Sequence, residues 1–272
     1  MKRGGKEQTY LRLRSLINRL HTTDCVIDDQ ILQDILSYGE LAVPHLEAIL
    51  RAAVQKSSQL DPRVPPKSTQ WFVVVHALYL LAHLPSGESL DLILTFLAQK
   101  QPVLDYWLQD LLDEDMWEIP FLLGKNQLDK LETFVLDQNN NEFSRLAVCT
   151  ALVQIALQDQ SKRPAVREIF RTVLHQKKEE PDFLGLVVSE LMDWRDEALN
   201  PAILAVLARN QVYEGIITAE EISLLYQRPH VRMRAVPDLL EKYAEFRQHA
   251  YFSKTAPSPE KITKQGKVQK TL

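Results

Sequence analysis

The chain has 272 residues, of which 45% are hydrophobic and 25% are charged, a composition typical of a globular protein with one or two domains. Its eight glycines form neither a GxGxxG nor a P-loop spacing, which excludes the common glycine-lined phosphate loops. The two cysteines, Cys25 and Cys149, stand far apart, which excludes a disulfide framework and a zinc knuckle and favours a reducing cytoplasm.

Charge is distributed unevenly along the chain. The net charge of −4 divides into +5 for residues 1–20, +4 for residues 253–272 and −13 for the body between them. Because a body of this sign repels a phosphate backbone, we expect nucleic acid to contact only the two basic ends, if it binds at all.

The first predicted element is a helix in the basic segment 1–27. Tyr10, Leu13, Ile17 and Leu20 recur with the helical period, so we expect this stripe to dock as the first helix of the fold. The segment lacks the apolar core of a secretory signal, and a basic amphipathic targeting segment is the alternative interpretation. The longest apolar run, residues 71–84, has 14 residues; it is too short for a membrane span and predicts a buried helix.

Residues 28–248 show apolar positions at helical spacing almost throughout and no strict alternation. Helix-start signals punctuate the pattern, such as Asn200 before Pro201 and the capping box from Thr218 to Glu221. These features predict an all-α protein.

The predicted helices repeat about every 38 residues. Apolar residues recur at this spacing, and a second set follows three residues later: Leu90, Leu128, Val166 and Leu204, then Ile93, Leu131, Ile169 and Leu207. Residues 76–82 also resemble residues 150–156. One amphipathic helix pair cannot cover its own apolar face, whereas a stack of pairs can. The pattern therefore predicts a right-handed α-solenoid of stacked antiparallel helix pairs over residues 28–248.

One segment carries a family resemblance. Residues 141–152 place Arg145, Ala147, Ala151 and Leu152 as HEAT-type repeats often do. Together with residues 38–47 and 107–115, this order resembles the DUF1186 family, a bacterial family of HEAT-like proteins, over residues 28–210. The resemblance implies the solenoid and does not imply an activity. Some members end in a cysteine-rich metal-binding tail, but this chain ends in lysines, so no metal site is carried over.

The acidic segment, residues 105–118, is the main candidate site. Its sequence DYWLQDLLDEDMWE holds six carboxylates, two tryptophans and no basic residue. It is either a helix junction, whose acids favour the next helix N-terminus, or a partner-binding patch anchored by tryptophan. The partner-binding residues predicted on the second interpretation are Trp107, Asp110, Asp113, Glu114 and Trp117. A calcium loop would need alternating ligands and a central glycine, which the segment lacks.

The remaining candidates are histidines. His76 and His83 lie seven residues apart without an HExxH motif, so we interpret both as core or groove residues. Glu245 and His249 form one i, i+4 pair, and a di-iron site needs more ligands. We predict no metal site, no cofactor and no catalytic residue.

The tail, residues 249–272, is rich in lysine. Lys261, Lys264, Lys267 and Lys270 recur every three residues. The tail is either a disordered solubilising segment or an electrostatic arm for nucleic acid or an anionic membrane.

These features predict a non-enzymatic adaptor in the cytoplasm whose concave surface holds another protein. The alternative is an enzyme on a HEAT-like frame, either bilin-lyase-like or nucleic-acid-modifying. A lyase would need a ligand pocket. A nucleic-acid enzyme would need a basic concave face, which the −13 body opposes.

Overall fold

The computed structural model describes residues 3–60, 68–84, 89–209, 212, 215–227 and 232–255. These residues contain fifteen α-helices and no strand, which confirms the all-α prediction. The helices are α1 Arg3–Leu20, α2 Asp29–Ser37, α3 Val43–Lys56, α4 Ser68–Ala82, α5 Leu90–Leu97, α6 Gln101–Leu108, α7 Leu111–Glu114, α8 Glu118–Gly124, α9 Leu128–Leu136, α10 Glu142–Gln158, α11 Arg163–His175, α12 Pro181–Trp194, α13 Asn200–Ala208, α14 Ala219–Tyr226 and α15 Leu239–Thr255.

Most helices pack in two rows. One row, here called the outer row, is α3, α5, α9, α11 and α13. The other, here called the inner row, is α2, α4, α8, α10, α12 and α14. Neighbours within each row touch, and the rows pack on each other through contacts such as α3 with α4 and α9 with α10. This two-row stack is the arrangement of an α-solenoid, and its handedness stays a prediction.

The 38-residue repeat corresponds to the outer row. The first apolar residue of each repeat, namely Leu90, Leu128, Val166 or Leu204, lies in α5, α9, α11 or α13 respectively. The two similar segments, 76–82 and 150–156, lie in α4 and α10 of the inner row. Ile93, Leu131 and Ile169 are buried, as the repeat predicts. Leu204 differs, with 59% of its surface exposed, because α13 is the last outer helix among the described residues.

Helix α1 packs at one end of the stack against α2, α3 and α4. Its buried side chains are Leu13, Ile17 and Leu20, whereas Tyr10 remains half exposed beside the His45 ring. One continuous hydrophobic core runs from α1 to α15, so α1 shares the core of the stack. Across the ranges given above, no helix has the length and apolarity needed to cross a membrane.

Candidate functional site

Residues 232–248, here called the return segment, run back along the inner row. Residues 232–238 form neither helix nor strand, but the Arg232 carbonyl and the Arg234 N–H bond the same side-chain amide, as an extended chain does; the first part of α15 follows. Its contacts pass from α12 to α10, α8 and α4, and end near the start of α2. The inner row thus holds a polypeptide segment of the same chain on its surface, which is here called the groove.

The extended part is held through its main chain. Gln154 lies fully buried within α10. Its Nε2 donates to the Arg232 carbonyl at 3.3 Å, and its Oε1 accepts from the Arg234 N–H at 2.8 Å. The Arg232 N–H donates to the Asp193 carbonyl at 3.1 Å. Because these contacts use main-chain atoms of the segment, they recognise extended backbone rather than a particular side chain.

The Arg234 side chain lies in an acidic pocket on α12. Its Nη2 donates to both carboxylate oxygens of Glu190 at 2.8 Å and to Asp193 at 3.2 Å. The guanidinium also lies 5.8 Å from the ring centre of Trp117. Burial raises the pKa of Glu190, and the Arg234 charge opposes this rise. The pocket therefore favours a cation, whose charge offsets part of the effect of burial on the pKa of Glu190.

Helix α15 carries a buried lysine into the groove. The Lys242 ammonium lies 2.7 Å from Glu118, 3.1 Å from Glu245 and 3.2 Å from Asp115. Burial raises the pKa of Glu118 to about 7, although the hydrogen bond and charge of Lys242 oppose the rise. Burial alone would lower the pKa of Lys242, but the surrounding carboxylates raise it above its ordinary value. Lys242 is therefore charged, and its carboxylates hold α15 on α8.

Aromatic contacts complete the docking of α15 on α4. The Tyr243 ring stacks on His76 with centroids 5.5 Å apart, and Phe246 meets Tyr79 edge-on. Burial lowers the pKa of His76 to about 4, so the imidazole is neutral. Because burial keeps Tyr243 protonated, its hydroxyl donates to His76 Nδ1, which lies 2.5 Å away. The prediction of a core histidine is confirmed for His76.

His76 is expected to make stability fall in mild acid. Its pKa is lower in the folded chain than the unfolded value of 6.5, so its stabilising contribution is complete above pH 6.5 and is lost as the pH falls towards 4. A shift of this size corresponds to about 3 kcal/mol. We therefore expect the difference in unfolding free energy between the native protein and His76→Gln to shrink by this amount from pH 7 to pH 4. Urea titrations at both pH values measure it, and parallel pH profiles would exclude a neutral buried His76.

Three polar residues of the groove recur at equal spacing along the chain, on three successive helices of the inner row. Glu118, Gln154 and Glu190 lie 36 residues apart on α8, α10 and α12. Sequence reasoning missed all three as site residues. The available signal was a polar interruption of an otherwise apolar helix run, by Gln154 in ALVQIAL and by Ser189 and Glu190 in LVVSELM.

The acidic segment divides between the groove and the surface. Trp107 and Trp117 are buried, with 7% and 6% of their surfaces exposed, and Trp117 lies beneath Arg234. Whether either tryptophan contacts a partner stays a prediction. Asp110, Asp113 and Glu114 are exposed. Whether these three carboxylates bind a partner stays a prediction.

The other predicted residues do not gather into a site. His83 is half-buried and its Nδ1 lies 2.8 Å from the Tyr79 carbonyl. Glu245 pairs with Lys242, whereas the His249 side chain lies outside the described part of the structure. The predicted electrostatic tail, Lys261, Lys264, Lys267 and Lys270, also lies outside the described residues. Within the described ranges, no group of three or more His, Cys, Asp or Glu could hold a metal ion.

Comparison with known proteins identifies a family. Residues 11–234 match the family described as "Protein of unknown function (DUF1186)". The chain belongs to the DUF1186 family. This confirms the resemblance found in the sequence, while the HEAT-like character of the repeats stays a prediction. No curated protein and no solved structure matches the chain.

The boundaries of the DUF1186 match divide the groove from the helix that it holds. The matched residues include Glu118, Gln154, Glu190 and Asp193, and the match ends at Arg234. Helix α15 begins beyond it, at Leu239. The groove is therefore part of the DUF1186 region of this chain, and the helix docked on it lies outside that region.

Proposed function

We propose that this DUF1186 protein is a non-enzymatic scaffold that binds a segment of another protein on its inner row, in the cytoplasm. The observation that supports the proposal is the Gln154 amide, which bonds both a carbonyl and an N–H of an extended chain. This pairing reproduces what a neighbouring β-strand offers to a bound peptide. A solenoid row extends such contacts over a long surface. Cys25 and Cys149 are both buried and neither is part of a disulfide, which fits a reducing compartment.

The exposed carboxylates of the acidic segment form a second candidate surface for the same function. Asp110, Asp113 and Glu114 are here called the acidic surface. Partial burial raises the pKa of Asp113, and the charges of Asp105, Asp110 and Glu114 add to the rise. A basic partner would relieve this repulsion and would be steered to the surface by its charge.

Affinity capture with the full-length protein tests the proposal. The bait proteins are the native chain, a groove variant (Glu190→Gln with Asp193→Asn) and an acidic-surface variant (Asp110→Asn, Asp113→Asn and Glu114→Gln). The control variant, Glu40→Gln with Glu220→Gln, removes two exposed charges elsewhere. Circular dichroism and thermal unfolding confirm that each bait is folded.

We expect the native and control baits to recover the same partner protein and the groove variant to lose it. Titration calorimetry with the purified partner then measures direct binding. If only the acidic-surface variant loses the partner, the interface is assigned to the acidic surface instead of the groove. A partner retained by both variants, or none recovered by the native bait after crosslinking, would contradict the proposal.

A further inference from the structure

We propose that Gln154, Glu190, Asp193 and Trp117 form a recognition site for an arginine in an extended peptide of a partner protein, and that residues 232–235 of the chain occupy this site as an internal competitor. These four residues are here called the arginine site. The inference rests on the proposed scaffold function and specifies the chemistry of the partner.

The site selects an extended backbone through Gln154. This side chain is fully buried within an apolar stretch of α10, where an amide without partners is costly. The hydrogen bonds that satisfy it come from the main chain of residues 232 and 234. Any extended chain offers the same carbonyl and N–H, so this part of the site does not depend on the sequence of the peptide.

The site selects arginine through its charges and its aromatic wall. Glu190 and Asp193 lie one helical turn apart and face a single guanidinium, which also approaches the Trp117 ring. A guanidinium is planar, donates two parallel hydrogen bonds to one carboxylate and stacks on an indole face. A lysine ammonium is a point charge and satisfies only part of this arrangement.

The internal arginine fits the site imperfectly. All three of its hydrogen bonds to Glu190 and Asp193 come from Nη2. Its Nε is buried without a hydrogen-bond partner. Arg234 is tethered five residues before α15 begins at Leu239, which limits how its guanidinium can turn. An arginine on a separate peptide is free of this tether and can present Nε and Nη2 together to Glu190 as a fork.

The extended residues are held less firmly than the helix that follows them. Arg232, Met233 and Ala235 are exposed, Met233 with 56% of its surface. In α15, by contrast, Lys242 and Tyr243 are almost fully buried. Exchange of residues 232–235 for a partner peptide can therefore leave α15 in place and the core intact.

Fluorescence polarisation with a labelled peptide tests the inference on the full-length protein. The capped peptide is Ala-Met-Arg-Ala-Val-Pro-Asp, with a lysine version as its matched control. The proteins are the native chain, Arg234→Ala, and Arg234→Ala combined with Glu190→Gln and Asp193→Asn. Arg234→Gln keeps more of the side-chain volume and replaces the alanine variant if that variant is poorly folded.

We expect Arg234→Ala to bind the arginine peptide at least about tenfold more tightly than the native chain, because the competitor has lost its charged anchor. The lysine peptide should bind about tenfold more weakly than the arginine peptide. The triple variant should lose binding. Saturating peptide should also speed hydrogen exchange of the residue 234 amide while the amides of residues 242–246 stay protected.

Three results would overturn the inference: no peptide binding by a folded Arg234→Ala protein, equal binding of the two peptides, or binding that leaves the residue 234 amide protected. A native dimer that Glu190→Gln with Asp193→Asn abolishes would assign the site to a second copy and overturn the assignment to a partner protein. If the peptide fails while a captured partner still depends on Glu190 and Asp193, the scaffold function stands and the arginine specificity falls. If the peptide binds and no partner is captured, the arginine specificity stands and the scaffold function falls.

Discussion

Replacing Arg145 with alanine is expected to lower the free energy of unfolding by about 3–5 kcal/mol. The Arg145 Nε donates to the Val135 carbonyl at 2.7 Å, and its Nη2 lies 2.8 Å from Glu179. The guanidinium also packs 3.9 Å from the centre of the Phe183 ring. The paired side chains of Arg145 and Glu179 are 5% and 1% exposed, so removing the arginine leaves a buried carboxylate without a cation.

Urea unfolding of matched variants measures the Arg145 effect. Arg145→Lys keeps the charge and should fall between the native protein and the alanine variant, because an ammonium cannot satisfy both acceptors in the same geometry. Arg171→Ala is the control, since the Arg171 and Glu168 side chains are 41% and 65% exposed in their pair, and we expect it to cost at most about 1 kcal/mol. A cost for Arg145→Ala no greater than that of Arg171→Ala would contradict the assignment of Arg145 as a buried link between α9, α10 and the residues before α12.

Replacing Lys242 with methionine is expected to lower the free energy of unfolding by about 3 kcal/mol at pH 8. Methionine keeps most of the side-chain volume, so the loss of unfolding free energy measures the contribution of the Lys242 ammonium. Without it, Glu118 is buried beside Asp115 with no cation. The loss should be smaller at pH 6, because the pKa of Glu118 is already raised to about 7 and the protonated acid no longer needs a partner.

The double variant Glu118→Gln with Lys242→Met should recover most of this loss, since neither buried charge remains. Lys130→Met is the matched control. Lys130 pairs with Asp91 at the surface, where the two side chains are 32% and 68% exposed, and such a pair contributes at most about 1 kcal/mol. Urea titrations at pH 6 and pH 8 measure all four proteins. Equal costs for Lys242→Met and Lys130→Met, or a cost that does not change with pH, would contradict the buried ion pair.

The two-row stack was predictable from sequence because its signal is local and repeated. Helices α5, α9 and α11 each bury an apolar residue three positions after the first apolar residue of the 38-residue repeat, namely Ile93, Leu131 and Ile169, whereas Leu207 in α13 is only partly buried. A repeated spacing of apolar residues can be recognised in the sequence without knowing which helices contact one another. The exposed Leu204 shows the limit of this signal, since α13 keeps the repeat but is the last outer helix in the part of the chain that the structure describes.

The groove was not predictable in the same way, because its contacts join residues far apart in the chain. Lys242 and Glu118 are separated by more than one hundred residues, and nothing near Lys242 distinguishes it from a solvent-facing lysine. The division of the acidic segment between buried and exposed residues was not predictable for a different reason. Gln109 has φ of 51°, a left-handed value, at the end of α6, and this turn changes the helix direction. Composition alone therefore gives no indication that Glu118 lies in the groove while Asp110 faces solvent.

Hydrogen exchange of the return segment tests the central claim most directly, namely that the inner row is a groove that binds extended polypeptide. In the native full-length protein we expect the residue 234 amide, which donates to Gln154, and the amides of residues 242–246 to exchange at least about tenfold more slowly than an unfolded chain. Gln154→Leu should release the residue 234 amide and leave residues 242–246 protected. Exchange of the native residue 234 amide at the unfolded rate would contradict the claim.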